Sequence, residues 1–146
     1  MTTPTQTEQS NEATMRRIYG EVFDRGRLEL IDELMSENVV NHTAPEGFQH
    51  GTDPIRGLVT MLREAFPDCR TVVEETIAQG ETVVMRNRFE GTHLGNFLGH
   101  EPTGRTFSFR QIHWMRFGPD GRVTEHWGVR DDVSHLQQLG VLPTAG

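Results

Sequence analysis

The chain has no lysine, and all fourteen of its basic residues are arginines. The protein therefore cannot form a Schiff base through a lysine, and it cannot build a Walker-type phosphate loop, which requires one. Cysteine is almost absent as well, because Cys69 is the only one in the sequence. A single cysteine excludes an intrachain disulfide, so we expect a cytoplasmic protein.

Positive charge and long apolar runs are also scarce. The 21 acidic residues outnumber the 14 basic ones, which gives a net charge of −7. This balance disfavours nucleic acid as a partner and disfavours an anionic membrane surface. No apolar run approaches the roughly 18 residues of a membrane span. The first residues lack the basic start and apolar core of a secretory signal, so we expect neither nucleic acid nor a membrane as a partner.

The first half of the chain has the pattern of helices. The length of 146 residues favours one domain. We assign that domain to residues 11–143, with a disordered tail at 1–10 and a short tail at 144–146. Apolar residues at helical spacing predict helices over 11–25, 28–34 and 53–66, and a brief strand at 38–42.

After Pro67 the apolar period changes to two, which predicts strands. A short last helix over 131–140 follows, with Val133, Leu136 and Leu139 facing inward and Gly140 as its cap. Helices before an antiparallel meander indicate an α+β fold. We expect a cone-shaped, strongly curved antiparallel sheet, with the helices enclosing a pocket for a small organic ligand. The predicted strands cover residues 69–79, 81–93, 105–117 and 122–130.

Alternation along the strand at 105–117 places Gln111 and His113 at the centre of one side. The rest of that side is apolar and includes Phe109 and Met115. Apolar walls with a few fixed polar groups are typical of a ligand pocket. The alternative is that Gln111 and His113 are core residues whose hydrogen bonds are satisfied without a ligand.

The stretch "EHWGVRDD" ends the last strand. His126, Gly128 and Arg130 share one face, and a glycine inside a strand indicates a bulge or a close approach by another group. His126 reaches the pocket or is a half-exposed strand histidine. Asp131 is a helix N-cap or a general base at the pocket mouth. Asn41 and His42, which end the first strand, line the pocket or start a turn.

Metal and cofactor motifs are weak in this chain. No two of the seven histidines have the spacing of a zinc-binding helix motif. The glycine-rich segment "GTHLGNFLG" follows a strand without opening a helix, which is the wrong context for a dinucleotide site. We expect no metal and no cofactor.

Several segments together resemble the SnoaL-like polyketide cyclase family, whose cone fold is shared with ketosteroid isomerase and nuclear transport factor 2. They are "AFPDCR", "GTHLGNFLGHEPTGRTFSF", "QIHWMRF", "DGRVTEHW" and "HLQQLGVLP". The resemblance implies a cofactor-independent enzyme that closes a ring of a polyketide-like, hydrophobic small molecule by intramolecular aldol chemistry. It also implies a homodimer formed through the outer face of the sheet, with Arg110, Trp114 and Trp127 as interface candidates.

Carried over position by position, the resemblance matches Asn41, Gln111 and His113 to pocket residues. The aspartate that acts as base in the family follows the "EHW" segment, where this chain has Trp127-Gly128-Val129. Either another group is the base, or the pocket performs different chemistry, as in relatives implicated in hydroxylation or isomerisation, or it only binds a ligand. The candidate catalytic residues are His113, His126 and Asp131. The candidate substrate-binding residues are Asn41, His42, Asn87, Phe109, Gln111 and Met115.

Overall fold

The computed structural model describes residues 3–144, so the outermost parts of both predicted tails lie outside the described residues. Residues 1–10 were predicted as a disordered tail, but helix α1 spans Gln6–Arg17. It begins with a capping box in which the Glu8 N–H donates to the Thr5 hydroxyl (3.0 Å) and the Thr5 N–H donates to the Glu8 carboxylate (2.7 Å). The prediction failed because this turn is polar and its signal lies in the cap, not in an apolar period.

The predicted helix over 11–25 is real but changes type along its length. After α1 the chain continues as a π-helix over Ile18–Phe23, and the adjacent residues Ile18 and Tyr19 are both buried in it. Gly26, with φ of 70°, ends this segment as predicted. A 3-10 turn over Leu28–Leu30 and helix α2 over Ile31–Leu34 lead into strand β1, which spans Met35–Asn41.

The later elements follow the predicted bounds closely. Helix α3 spans Asp53–Ala65, and helix α4 spans Asp132–Leu139 with Gly140 (φ of 80°) as its C-cap. Val133 was predicted to face inward but is 58% exposed, and the buried side chains of α4 are His135 and Leu139. Because His135 is polar, the apolar pattern of the sequence does not indicate which face of α4 is buried. The strands are β2 Arg70–Gln79, β3 Thr82–Thr92, β4 Thr106–Phe117 and β5 Val123–Arg130.

All five strands belong to one sheet, in the order β1-β5-β4-β3-β2. Strands β2 to β5 form the predicted antiparallel meander. The sheet as a whole is mixed, however, because β1 pairs in parallel with β5 and places Asn41 beside His126. Parallel neighbours require a long crossover connection. Here that connection contains α3 and three strands, and no local sequence signal reports such a pairing.

The helices cover the inner face of the sheet, and the outer face is open. Inner residues of β3 and β4 pack with α1, the π-helix, α2 and α3 in one apolar cluster. A second, aromatic cluster lies between α4 and the far ends of β3 and β4, and Phe66 and His135 are buried in it. Among residues 3–144, no helix is long and apolar enough to cross a membrane. The polar residues of the inner face lie between these two clusters.

Candidate active site

Two imidazole rings meet above Gly128 on the inner face of the sheet. His113 of β4 is the cross-strand partner of Gly128 on β5, and His126 stands two residues earlier on the same face. A Cβ at position 128 would lie 3.2 Å from His113 Nδ1 and 3.2 Å from His126 Cε1. The close approach predicted for this glycine is therefore made by the two histidines. Their rings occupy the space above the position at which the resembled family has its aspartate.

A continuous chain of hydrogen bonds runs through this pair, and we call it the histidine relay. Asn41 Oδ1 lies 2.7 Å from His126 Nδ1, and His126 Nε2 lies 2.9 Å from His113 Nδ1. His113 Nε2 lies 2.9 Å from Gln111 Oε1, which also accepts a hydrogen bond of 3.1 Å from Asn87 Nδ2. Four strands thus contribute to a single row of polar side chains. Strands β1, β3 and β5 contribute one side chain each, and β4 contributes two.

The environment of the relay keeps both histidines neutral. Burial lowers the pKa of His113 well below the usual 6.5, and the His126 and Arg130 charges lower it further. Burial also lowers the pKa of His126 to about 4, again with a contribution from Arg130. A neutral imidazole has one free electron pair, so the pair is chemically a base at neutral pH.

Tyr19 and Arg130 complete the surroundings of His113. The Tyr19 ring packs on the His113 ring with 4.6 Å between centroids. Arg130 is the cross-strand partner of Gln111 and shares its face. Its guanidinium pairs with the Asp132 carboxylate at 3.4 Å, and the side chain remains 40% exposed. His113 and Gln111 are only 7% and 9% exposed, so the inner face opens to solvent at Arg130.

Thr43 fixes the Asn41 end of the relay. Its backbone N–H donates to Asn41 Oδ1 at 3.2 Å. Its hydroxyl accepts from the Gly128 N–H at 2.5 Å and donates to the Gly128 carbonyl at 3.2 Å. The turn after β1 is thereby attached to the middle of β5. Asn41 Nδ2 makes no hydrogen bond to any residue within 3–144, so it is available to a ligand.

The structure brings together most of the residues predicted for the site. Asn41, Asn87, Gln111, His113 and His126 form the histidine relay. Met115 and Phe109 lie on the same inner face, but each is buried in one of the two apolar clusters. Asn87 has no exposed surface at all, so its contact is with Gln111 and not with a ligand.

Two predicted site residues lie elsewhere. His42 follows the end of β1 and points to the outer face, where it stacks on Trp127 (4.6 Å between centroids) and pairs with Glu125 at 2.9 Å. This placement does not support a role in substrate binding. Asp131 is the N-cap of α4, and its carboxylate accepts from the Ser134 N–H at 3.1 Å. The capping interpretation of Asp131 is therefore the one that the structure favours.

Substitution of Asp131 separates the two interpretations. Asparagine caps helices as well as aspartate does, so we expect Asp131→Asn to leave any kcat/KM within about twofold of that of the unmodified protein. Asp131→Ala should lower the free energy of unfolding by about 1 kcal/mol. Denaturant unfolding and steady-state kinetics measure both effects. A loss of the ~100-fold or more typical of a missing general base in Asp131→Asn would restore Asp131 as the base.

Three residues of the site were not among those predicted for it. Tyr19 was read as an apolar position of a helix, and its contact with His113 depends on the π-helix. Thr43 lies in a turn whose position depends on the parallel β1–β5 pairing. Arg130 could have been found, because its parity on β5 already placed it with His126 and Gly128.

No residues were found that would hold a metal: within 3–144, no group of three or more His, Cys, Asp or Glu is arranged to bind one. A cleft of about 510 Å³ lies on the outer face of the sheet. Thr43 and Trp127 line it together with Ile112, Trp114 and Val129. It is separated from the histidine relay by the sheet itself.

Comparison with known proteins agrees with this geometry. Residues 13–139 match the sequence profile of the family described as SnoaL-like polyketide cyclase. The chain belongs to the SnoaL-like polyketide cyclase family. The resemblance read from the sequence segments is thereby confirmed.

Two of the similar proteins are described as cyclases and one as a hydroxylase. Nogalonic acid methyl ester cyclase from Streptomyces nogalater is 32% identical over 120 residues, which cover 81% of this chain and 89% of that protein. The crystal structure of IdmH, a proposed polyketide cyclase from Streptomyces antibioticus, is 32% identical with a TM-score of 0.78, covering 90% of this chain and 99% of IdmH. AclR, a proposed hydroxylase from Streptomyces galilaeus, is 27% identical with a TM-score of 0.82, covering 95% of this chain and 86% of AclR.

Proposed function

We propose that this protein is a cyclase that closes a ring in a polyketide-like ester by intramolecular aldol addition, without a cofactor. The observation that carries the proposal is the neutral imidazole pair above Gly128. The aspartate of the resembled family is missing, but a base stands where its side chain would be. The single buried cysteine suits the cytoplasmic setting that we propose for the enzyme.

The reaction is an isomerisation, so no atom is lost or gained. His113 accepts a proton from a substrate carbon that lies between carbonyl groups, and an enolate forms. The enolate carbon attacks a second carbonyl group of the same molecule. The new alkoxide then takes a proton back from the histidine pair. General base catalysis of this kind contributes roughly 10²- to 10⁴-fold in rate.

The negative enolate requires donors in a site with little water. Asn41 Nδ2 is free to donate, and Arg130 supplies a positive charge at the solvent side of the relay. The Tyr19 ring covers His113 and excludes water from it. Removing one such donor typically costs about 3 kcal/mol of transition-state stabilisation.

The substrates named in the relatives provide the test. We would incubate the protein with nogalonic acid methyl ester and with aklanonic acid methyl ester, and follow each by chromatography and mass spectrometry. A cyclase yields a product of unchanged mass and different retention. A parallel incubation in D₂O reports deuterium uptake at the acidic carbon, even where ring closure is slow. Tight binding with neither product nor exchange at any pH would instead indicate a ligand-binding protein.

Hydroxylation is the second candidate, because the similar protein AclR is a proposed hydroxylase and because position 128 lacks the aspartate. That reaction gives a product heavier by one oxygen atom. Dioxygen supplies this atom, and its second oxygen atom leaves as water, reduced by two electrons from a reductant such as a reduced nicotinamide that is added to the assay. The same mass spectra, recorded with and without oxygen, therefore separate it from cyclisation.

We also propose a homodimer formed through the outer face of the sheet. Three apolar side chains of β4 and β5 are exposed there: Ile112, Trp114 (46%) and Val129 (75%). They line the 510 Å³ cleft with Trp127. A contiguous apolar patch of this kind marks a protein interface. Arg110, also on the outer side of β4, remains a candidate for the rim of this interface.

One charge in this patch should break the dimer. We expect Val129→Glu to raise the dimer dissociation constant at least ~100-fold, because a buried, unpaired carboxylate costs several kcal/mol. Sedimentation measures the change from a dimer of 16.6 kDa subunits to a monomer. Val133→Glu is the matched control, since Val133 is an exposed valine of α4 that does not line the cleft. Equal sedimentation of both variants and the unmodified protein would contradict the interface.

A further inference from the structure

The histidine relay contains more hydrogen bonds than two neutral histidines have N–H groups to donate. Three links involve the rings: Asn41 to His126, His126 to His113, and His113 to Gln111. If both amides present oxygen, each link needs a ring N–H, which makes three. Two neutral imidazoles carry only two N–H groups. The pair therefore holds an extra proton, or one of the two amides donates its NH₂ to a ring nitrogen.

Asn41 is the amide that cannot turn. Its Oδ1 accepts from the backbone N–H of Thr43 at 3.2 Å, and a backbone N–H is always a donor. Thr43 is itself held by two hydrogen bonds between its hydroxyl and the Gly128 backbone. Asn41 thus presents oxygen to His126 in every protonation state. His126 must carry its hydrogen on Nδ1, and its Nε2 must accept from His113 Nδ1–H.

The Gln111 end is free to turn. Among residues 3–144, Gln111 Oε1 forms hydrogen bonds only with His113 Nε2 and Asn87 Nδ2. The other end of the Asn87 amide, its Oδ1, is buried without a hydrogen-bond partner among residues 3–144. Amide oxygen and nitrogen have nearly the same size, so the hydrogen-bond network decides their orientation. No contact with another residue of 3–144 holds Gln111 and Asn87 in one orientation.

We propose that the histidine relay accepts a proton in one direction. His113 Nε2 takes up the proton, and the Gln111 and Asn87 amides each rotate so that their oxygen and nitrogen atoms exchange places. Thr43 sets this direction. The inference rests on the proposed function and names the atom and the positioning residues of that site. In the neutral state the Gln111 NH₂ donates to His113 Nε2 and to Asn87 Oδ1. In the loaded state His113 Nε2–H and Asn87 Nδ2–H both donate to Gln111 Oε1.

The substrate carbon loses one proton and becomes an enolate, while Gln111 leaves His113 Nε2 and the nitrogen gains that proton. The Gln111 oxygen then accepts the new N–H. When the alkoxide of the product takes the proton back, both amides return. The pair changes from neutral to singly positive and back within one turnover.

The charged and titratable groups around the histidine pair disfavour a state in which the pair stays protonated. Arg130 approaches from β5 beside Gln111, Tyr19 covers the ring from the π-helix, and His42 follows Asn41 at the end of β1. Strand β3 contributes Met85 and Asn87, which carry no charge. The positive charge of Arg130 disfavours a second positive charge on the pair, so the loaded state releases its proton readily.

Nitrogen NMR of the substrate-free protein, labelled with ¹⁵N, tests the direction. At pH 7.5 we expect His113 and His126 each to carry hydrogen on Nδ1, with both Nε2 atoms unprotonated. A hydrogen on either Nε2 at this pH would overturn the proposal. On acidification His113 Nε2 should gain a hydrogen, and the side-chain NH₂ signals of Gln111 and Asn87 should shift with the same midpoint. Unmoved NH₂ signals would refute the turnover of the amides.

Substitution of Thr43 tests its role as a positioning residue. Thr43→Val keeps the shape but removes the hydroxyl that holds the turn to Gly128. We expect a mixture of ring tautomers in the NMR spectrum and a roughly tenfold lower kcat with little change in KM. Thr43→Ser should restore both. A single tautomer set and an unchanged kcat in Thr43→Val would show that Thr43 does not set the direction.

The proposed function and the direction of the histidine relay can be refuted independently of each other. The NMR experiment uses no substrate, so it gives the same answer whether or not the protein is a cyclase. Absence of product and of deuterium exchange would count against the proposed function alone. The reverse ring tautomers with an active cyclase would count against the relay direction alone.

Discussion

His113→Phe should lower kcat by ~10²- to 10⁴-fold, the usual contribution of a general base. Phenylalanine keeps an aromatic ring against Tyr19, but it removes the nitrogen that accepts the proton. It also separates Gln111 from His126, which interrupts the relay. Deuterium exchange at the acidic carbon of the substrate should fall by the same factor, because it depends on the same proton transfer. Steady-state kinetics and exchange in D₂O measure the two losses.

His135→Phe is the matched control for this experiment. His135 is comparably buried, at 4% exposed against 7% for His113, and it also packs on aromatic rings, with its centroid 4.2 Å from that of Phe109. It packs in the second cluster, and within residues 3–144 it makes no hydrogen bond or ring contact with the relay. We expect its activity to stay within about twofold of the unmodified enzyme. An equal loss in both variants would mean that the effect comes from the packing of the fold, and not from a base at position 113.

The strands and their faces could be predicted because period-two patterning is strong where one face is buried. All four strands of the meander lie within one residue of the predicted bounds, and the inner position of His113 follows from alternation alone. The family resemblance matched Asn41, Gln111 and His113 to pocket positions and identified the missing aspartate. These predictions required only local pattern or the order of segments along the chain.

The contacts that make the site work could not be predicted in this way. Asn41 and His126 meet only because β1 pairs with β5 across most of the chain, and Thr43 reaches Gly128 through the same pairing. The π-helix that places Tyr19 over His113 has no distinct period in the sequence. His113 and His126 were predicted as separate candidates and not as a pair. Two histidines thirteen residues apart become neighbours only through the register of β4 and β5.

Gln111→Glu should move the acid limb of the pH–rate profile upward by about one to three pH units. A carboxylate has only acceptors, so it holds a hydrogen on His113 Nε2, and its negative charge raises the pKa of that ring. In the unmodified protein burial lowers the pKa of both histidines, to about 4 for His126, so the free base is present well below pH 6.5. A base must be unprotonated to work. The variant should therefore lose activity in mildly acidic buffer and recover it as the pH rises.

Gln111→Met distinguishes this effect from simple loss of the amide. Methionine has a similar length but no acceptor of comparable strength, so kcat should fall at every pH without an upward shift of the acid limb. The contrast between the two variants isolates the charge that position 111 presents to His113. If the limb stays in place in Gln111→Glu, the group that titrates in catalysis is not His113, and the base has to be sought outside the histidine relay.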